Sequence, residues 1–78
     1  MEFTLRVIYR DSRKPFSEPV TLISSGRAAN NDPIFTNKGR EEVAIQMAID
    51  DMNKKRREFE YEIATEKDVE LLDVHTLL

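Results

Sequence analysis

The sequence predicts an α+β domain in which one long helix packs across one face of a small antiparallel sheet of three or four strands. Three observations carry that prediction: apolar–polar alternation in residues 2–10, one capped amphipathic pattern over 37–57, and a second alternation over 58–64. With 78 residues the chain is read as a single domain, residues 1–78. A domain this small buries only a little over about 60% of its unfolded surface. It has no cysteine, hence no disulfide framework and no thiolate metal site. Stability must come from one core, or from a partner subunit that enlarges it.

In residues 2–10, Phe3, Leu5, Val7 and Tyr9 alternate with Glu2, Thr4, Arg6 and Arg10, and only Ile8 breaks the pattern. This is a half-buried strand. Residues 11–19 contain Pro15 and Pro19 among turn-forming residues and read as a loop. Val20–Ser24 is short and β-prone, so a hairpin with a long loop is the expected pairing. Residues 25–35 carry Gly26, Asn30-Asn31 and Asp32-Pro33, all turn chemistry. Ile34 and Phe35 stand where an apolar staple to a helix would stand.

Thr36 or Asn37 caps the helix, because either side chain can accept a hydrogen bond from an orphan N–H. Glu41 and Glu42 lie toward the positive end of the dipole, and Lys54-Lys55-Arg56-Arg57 lie at the negative end. With Val43 at 0°, Ile45, Ala48, Ile49 and Met52 fall at roughly 140–240°, a single stripe flanked by Ala44. Val43 and Met47 fall outside that stripe and are expected on the outer face. There, with Leu77 and Leu78, they would offer a seat for a second copy of the chain. After the helix, Phe59, Tyr61 and Ile63 alternate with Glu58, Glu60 and Glu62, as in another strand. The tail 66–78 fits either a strand, with Leu72, Val74 and Thr76 on one face, or a helical turn. Its β-branched Val74 and Thr76 favour the strand. The element order is then ββαβ or ββαββ. The expected core is Phe3, Leu5, Val7, Tyr9, Val20, Leu22, Ile45, Ala48, Ile49, Met52, Phe59, Tyr61, Ile63, Leu72 and Val74. If Ile49 is buried, its replacement by Ala should cost about 2–5 kcal/mol.

Charge is divided along the chain. Residues 1–57 hold 11 Lys/Arg against 8 Asp/Glu, whereas residues 58–78 hold Lys67 alone against seven acids. The net charge of −3 argues against a nucleic-acid field over the whole surface. The 40% apolar and 35% charged composition is that of a folded domain. No apolar run approaches a membrane span. Met1-Glu2-Phe3 does not resemble the start of a signal peptide, so a cytoplasmic protein is expected.

Two surfaces follow. Glu58, Glu60 and Glu62, continued by Glu66 and Asp68, would form an acidic strand face for a protein partner with a basic surface. Successive carboxylates there would stand about 6.5–7 Å apart. The same row would also guard an exposed strand edge against unwanted pairing. Alternatively, Arg6, Arg10, Lys54, Lys55, Arg56 and Arg57 would contact phosphates as a nucleic-acid-binding module. Helix physics accounts for much of that basic run, since Asp50–Lys54 and Asp51–Lys55 are i,i+4 pairs. No zinc-finger spacing, aromatic RNA-binding motif or glycine-rich phosphate loop accompanies it. Ser24-Ser25-Gly26-Arg27 resembles an anion-binding turn only loosely. His75 is the single histidine and shares a face with Asp73 if the tail is a strand, but no nucleophile is spaced to join them. A flat row of carboxylates lacks the converging loop that wraps a cation. The sequence therefore predicts a non-enzymatic binding protein without metal or cofactor. It would be an accessory or inhibitory factor of the size that mobile elements encode.

Overall fold

The computed structural model describes residues 1–58 and 62–77. Strand β1 spans Glu2–Asp11, β2 Val20–Arg27, helix α1 Asn37–Arg57 and β3 Val69–Thr76. Short 3-10 turns at Pro33–Phe35 and Glu66–Asp68 precede α1 and β3. The sheet order is β2-β1-β3, with β1 antiparallel to both neighbours. β2 and β3 therefore run parallel to each other on either side of β1, joined through α1. The expected α+β fold, with its hairpin, helix bounds and C-terminal strand, is the one observed, in ββαβ order.

The alternation of β1 fixes the two faces of the sheet. Leu5, Val7 and Tyr9 are buried beneath α1. Arg6 and Arg10 lie on the opposite face, which no helix covers. Thr36 is the N-cap, and its Oγ1 accepts from the Gly39 N–H at 3.1 Å. Gly39 is required there by proximity: a Cβ at that position would stand 1.5 Å from the Pro33 carbonyl oxygen. The turn before the helix and the helix itself are in direct backbone contact at this point.

The helix is rotated relative to the sequence expectation. Its buried residues are Gly39, Ala44, Ala48 and Met52, and Val43 and Met47 pack against the core instead of facing outward. Ile45 and Ile49 are half-buried and lie outside the core cluster. The centre of the buried stripe is displaced by about 50° from the predicted one. Alanines at the contact let the helix backbone approach Leu5, Val7 and Tyr9 closely, which branched isoleucines would prevent. The seat proposed for a second copy on Val43 and Met47 is thereby removed. Ile34, expected as a staple to the helix, is buried in the core, and Ala64 joins it unforeseen.

Two further expectations are corrected. The strand over 58–64 is not formed where it can be seen: Glu58 caps α1 in helical conformation, and Glu62–Thr65 has no strand structure. The Asn53 side chain occupies the backbone groups of Ala64 instead. It donates to the Ala64 carbonyl at 3.4 Å and accepts its N–H. Ile63 is accordingly 62% exposed. Phe59, Glu60 and Tyr61 lie outside the described residues.

In β3 the expected inward face, Leu72 and Val74, holds only in part. Ile8 pairs with Asp73 and Tyr9 with Leu71, so Leu72 is the extra residue of a β-bulge. The bulge switches the parity of the strand. Val69, Leu71 and Val74 pack against the core, and Leu72 is 41% exposed.

Candidate functional site

The chemistry-bearing side chains concentrate where the end of β1, the last turn of α1 and the segment before β3 meet. Arg56 projects from α1 into this corner, and only 11% of its side chain is exposed. It pairs with Asp11 at 2.5 Å and reaches Asp68 at 3.8 Å. Arg13 closes the group, 3.6 Å from Asp11 and 3.3 Å from Asp68. Two guanidinium groups and two carboxylates thus alternate in a ring that holds the loop after β1, the helix end and the start of β3. Ser12 reinforces it, its N–H donating to the Asp68 carbonyl at 2.8 Å and its Oγ to the Lys67 carbonyl at 2.6 Å.

Asp68 is fixed by its own turn. The Thr65 N–H donates to its carboxylate at 2.7 Å, and the Thr65 hydroxyl does so at 3.3 Å. The Thr65 amide hydrogen bond holds this carboxyl below the usual aspartate range; partial burial opposes the shift, and the charges of Arg13 and Arg56 add to it.

The six bases of the phosphate-binding reading do not form one surface. Arg6 and Arg10 lie on the open face of the sheet, and the helix bases lie in the other layer. Arg6 pairs with Asp73 at 2.9 Å. Arg10 donates to the Pro15 carbonyl at 3.1 Å and stands 3.9 Å from Glu70. Lys55 pairs with Asp51, which also accepts from the Tyr9 hydroxyl. Lys54 and Arg57 are exposed.

The five acids of the other reading divide as well. Glu58 and Glu66 are exposed, and Glu62 has 87% of its side chain exposed, with Arg13 at 3.7 Å. Asp68 is engaged in the ring, and Glu60 lies outside the described residues. Residues 62–65, which lead from Glu62 to Glu66, have no strand structure, so these two acids are not spaced by a pleat.

His75 is exposed on the open face, across from Arg6. Asp73 shares that face as expected, yet its carboxylate is directed to Arg6. Ser24–Arg27 belongs to β2 and forms no anion-binding turn. Among the described residues, no three His, Asp or Glu side chains converge to hold a metal ion, and no helix is long and apolar enough to cross a membrane.

Sequence reasoning missed Asp11 and Arg13, whose roles depend on Arg56 and Asp68, more than 40 residues away in the chain. It also missed Phe16, which is fully exposed at the tip of the β1–β2 loop. A turn closed by the Ser17 N–H to the Lys14 carbonyl at 2.9 Å presents that ring. Comparison with family models, with curated proteins and with solved structures found no match.

Proposed function

We propose that this chain is a non-enzymatic binding protein, an accessory or inhibitory factor, that engages a basic surface of a protein partner through Glu58, Glu62 and Glu66. The observation that supports this reading is that these carboxylates are exposed and little used within the fold, whereas most of the bases in the competing reading are engaged. Arg6, Arg10, Arg13, Lys55 and Arg56 are each paired with carboxylates of the same chain. Glu58 and Glu66 are exposed with no ion pair among the described residues, and Glu62 is nearly so. Glu58, Glu62 and Glu66 are therefore available to basic groups of a partner. Such a patch steers encounter with a positive partner and selects against acidic ones. Glu60 falls between these residues in sequence and belongs to the same reading. A cytoplasmic setting goes with it, since the cysteine-free chain suits a reducing compartment. The nucleic-acid reading has weaker support, because the bases it needs are divided between two layers and mostly neutralised.

The test compares the chain with a Glu58→Gln, Glu62→Gln, Glu66→Gln variant as bait in a lysate of the native cell. Expected is a protein retained by the parent, released by moderate salt, and lost from the variant at unchanged melting temperature. Equal retention by the variant removes this surface from the account.

A further inference from the structure

The outer edge of β2 is the least protected feature of the molecule. Its outward-facing groups can be assigned from the ladder. The Ala28 N–H donates to the Met1 carbonyl at 2.9 Å, and the Met1 amino group donates to the Ala28 carbonyl at 3.0 Å. With Phe3 opposite Gly26 and Leu5 opposite Ser24, the alternation of an antiparallel ladder turns even-numbered β2 residues toward β1. Thr21, Ile23, Ser25 and Arg27 therefore direct their N–H and C=O groups to the free edge.

Folded proteins usually guard such an edge with charge, proline, a bulge or a covering segment. From Val20 to Gly26, β2 has no charge, no proline and no register shift. β3, the other edge strand, carries the Leu72 bulge together with Glu70 and Asp73. The helix does not cover β2 either, because α1 packs over β1 and β3 and scarcely touches it. Both faces of β2 consequently show apolar side chains that remain partly open: Val20 and Leu22 on the helix side, and Ile23, 61% exposed, on the other.

The strand that fits this edge must be uncharged and carry an apolar side chain on each face, and residues 20–26 of β2 meet that description through Leu22 and Ile23. We propose that two copies of the chain pair through β2, antiparallel about a two-fold axis at Ile23, giving a continuous sheet of order β3-β1-β2-β2-β1-β3. In this register Ile23 opposes Ile23 of the second copy, and Thr21 opposes Ser25. Their outward N–H and C=O groups are exchanged in hydrogen-bonded pairs. The two Ile23 side chains meet on the open face. Each Arg27 lies beyond the paired segment, about 27 Å along the strand direction from its counterpart, so like charges stay apart.

The experiment is mass measurement in solution on the whole chain, across the micromolar range. Expected is a species of twice the 9.1 kDa chain mass, insensitive to salt. Ile23→Lys, at a site exposed in the single chain, should give a monomer with unchanged circular dichroism. Ile23→Cys should cross-link into a covalent dimer on mild oxidation, because hydrogen-bonded antiparallel partners have Cα atoms about 5.5 Å apart, within disulfide reach. Thr21→Cys, opposite Ser25 and not itself, should cross-link far more slowly. A parent that is monomeric throughout the range, or an Ile23→Lys variant that still dimerises, overturns the proposal. Equal cross-linking of the two cysteine variants overturns its register.

Discussion

Asp68 shows how much one side chain can join. It closes its own turn through Thr65, and across that turn it meets Arg13 from the loop after β1 and Arg56 from α1. Its carboxyl is held below the ordinary value of 3.8, first by the Thr65 amide. A lowered folded-state value means that Asp68 stabilises the fold at every pH above its unfolded value. That contribution is lost as pH falls through the depressed one. Asp68→Asn should therefore melt at a lower temperature than the parent near neutral pH. The two melting curves should converge as pH drops below about 4, the unfolded aspartate value. Thermal melts by circular dichroism across that range check the sign; a gap that widens in acid contradicts it. None of this was visible in the sequence, where Asp68 looked like one more member of an acidic run. Only the fold brings Arg13 and Arg56 to it.

At the scale of elements, what could be read depended on whether a pattern has one physical cause. The alternation of Phe3, Leu5, Val7 and Tyr9 has one, a sheet with a single buried face, and it gave β1 directly. Thr36 before a periodic run likewise gave the start of α1, and the basic last turn gave its end. The helix register was less determined, because apolar residues from Val43 to Met52 cover a wide arc and hydrophobicity alone does not choose its centre. Close approach to the sheet chooses it, through Ala44 and Ala48. At residues 62–64 the alternation misled because Asn53 takes up the backbone of Ala64, and side-chain capture of that kind has no periodic signature. The single extra residue at Leu72 is equally silent in sequence. The corrected register makes a distinction: Met52→Ala, at a position 6% exposed, should cost about 2–5 kcal/mol. Ile49→Ala should cost clearly less, since that side chain flanks the core. Urea denaturation of both variants decides between the two helix registers.

For the molecule as a whole, the order of strands in space differs from their order in sequence. β1 is central, β2 follows it as a local hairpin, and β3, which begins more than 50 residues after β1 ends, completes the other side. Leu5, Val7 and Tyr9 are buried only when α1 and β3 are both in place. A chain cut after Thr65 retains the hairpin and the helix, but it loses Val69, Leu71 and Val74 from the core and Asp68 from the ring. An isolated hairpin is marginal in water, so the cut chain should show no cooperative thermal transition by circular dichroism. A cooperative melt in that fragment would mean that β3 decorates the fold without completing it.

The central placement of β1 also bears on synthesis. The ribosome releases the middle strand first and its second neighbour only after residues 69–76 have been made. Until then the nascent chain carries β1 with one side unpaired, beside a β2 edge that has no guard of its own. Closing the sheet must wait for β3 to emerge, and a contact between two unfinished chains competes with it for the same backbone groups.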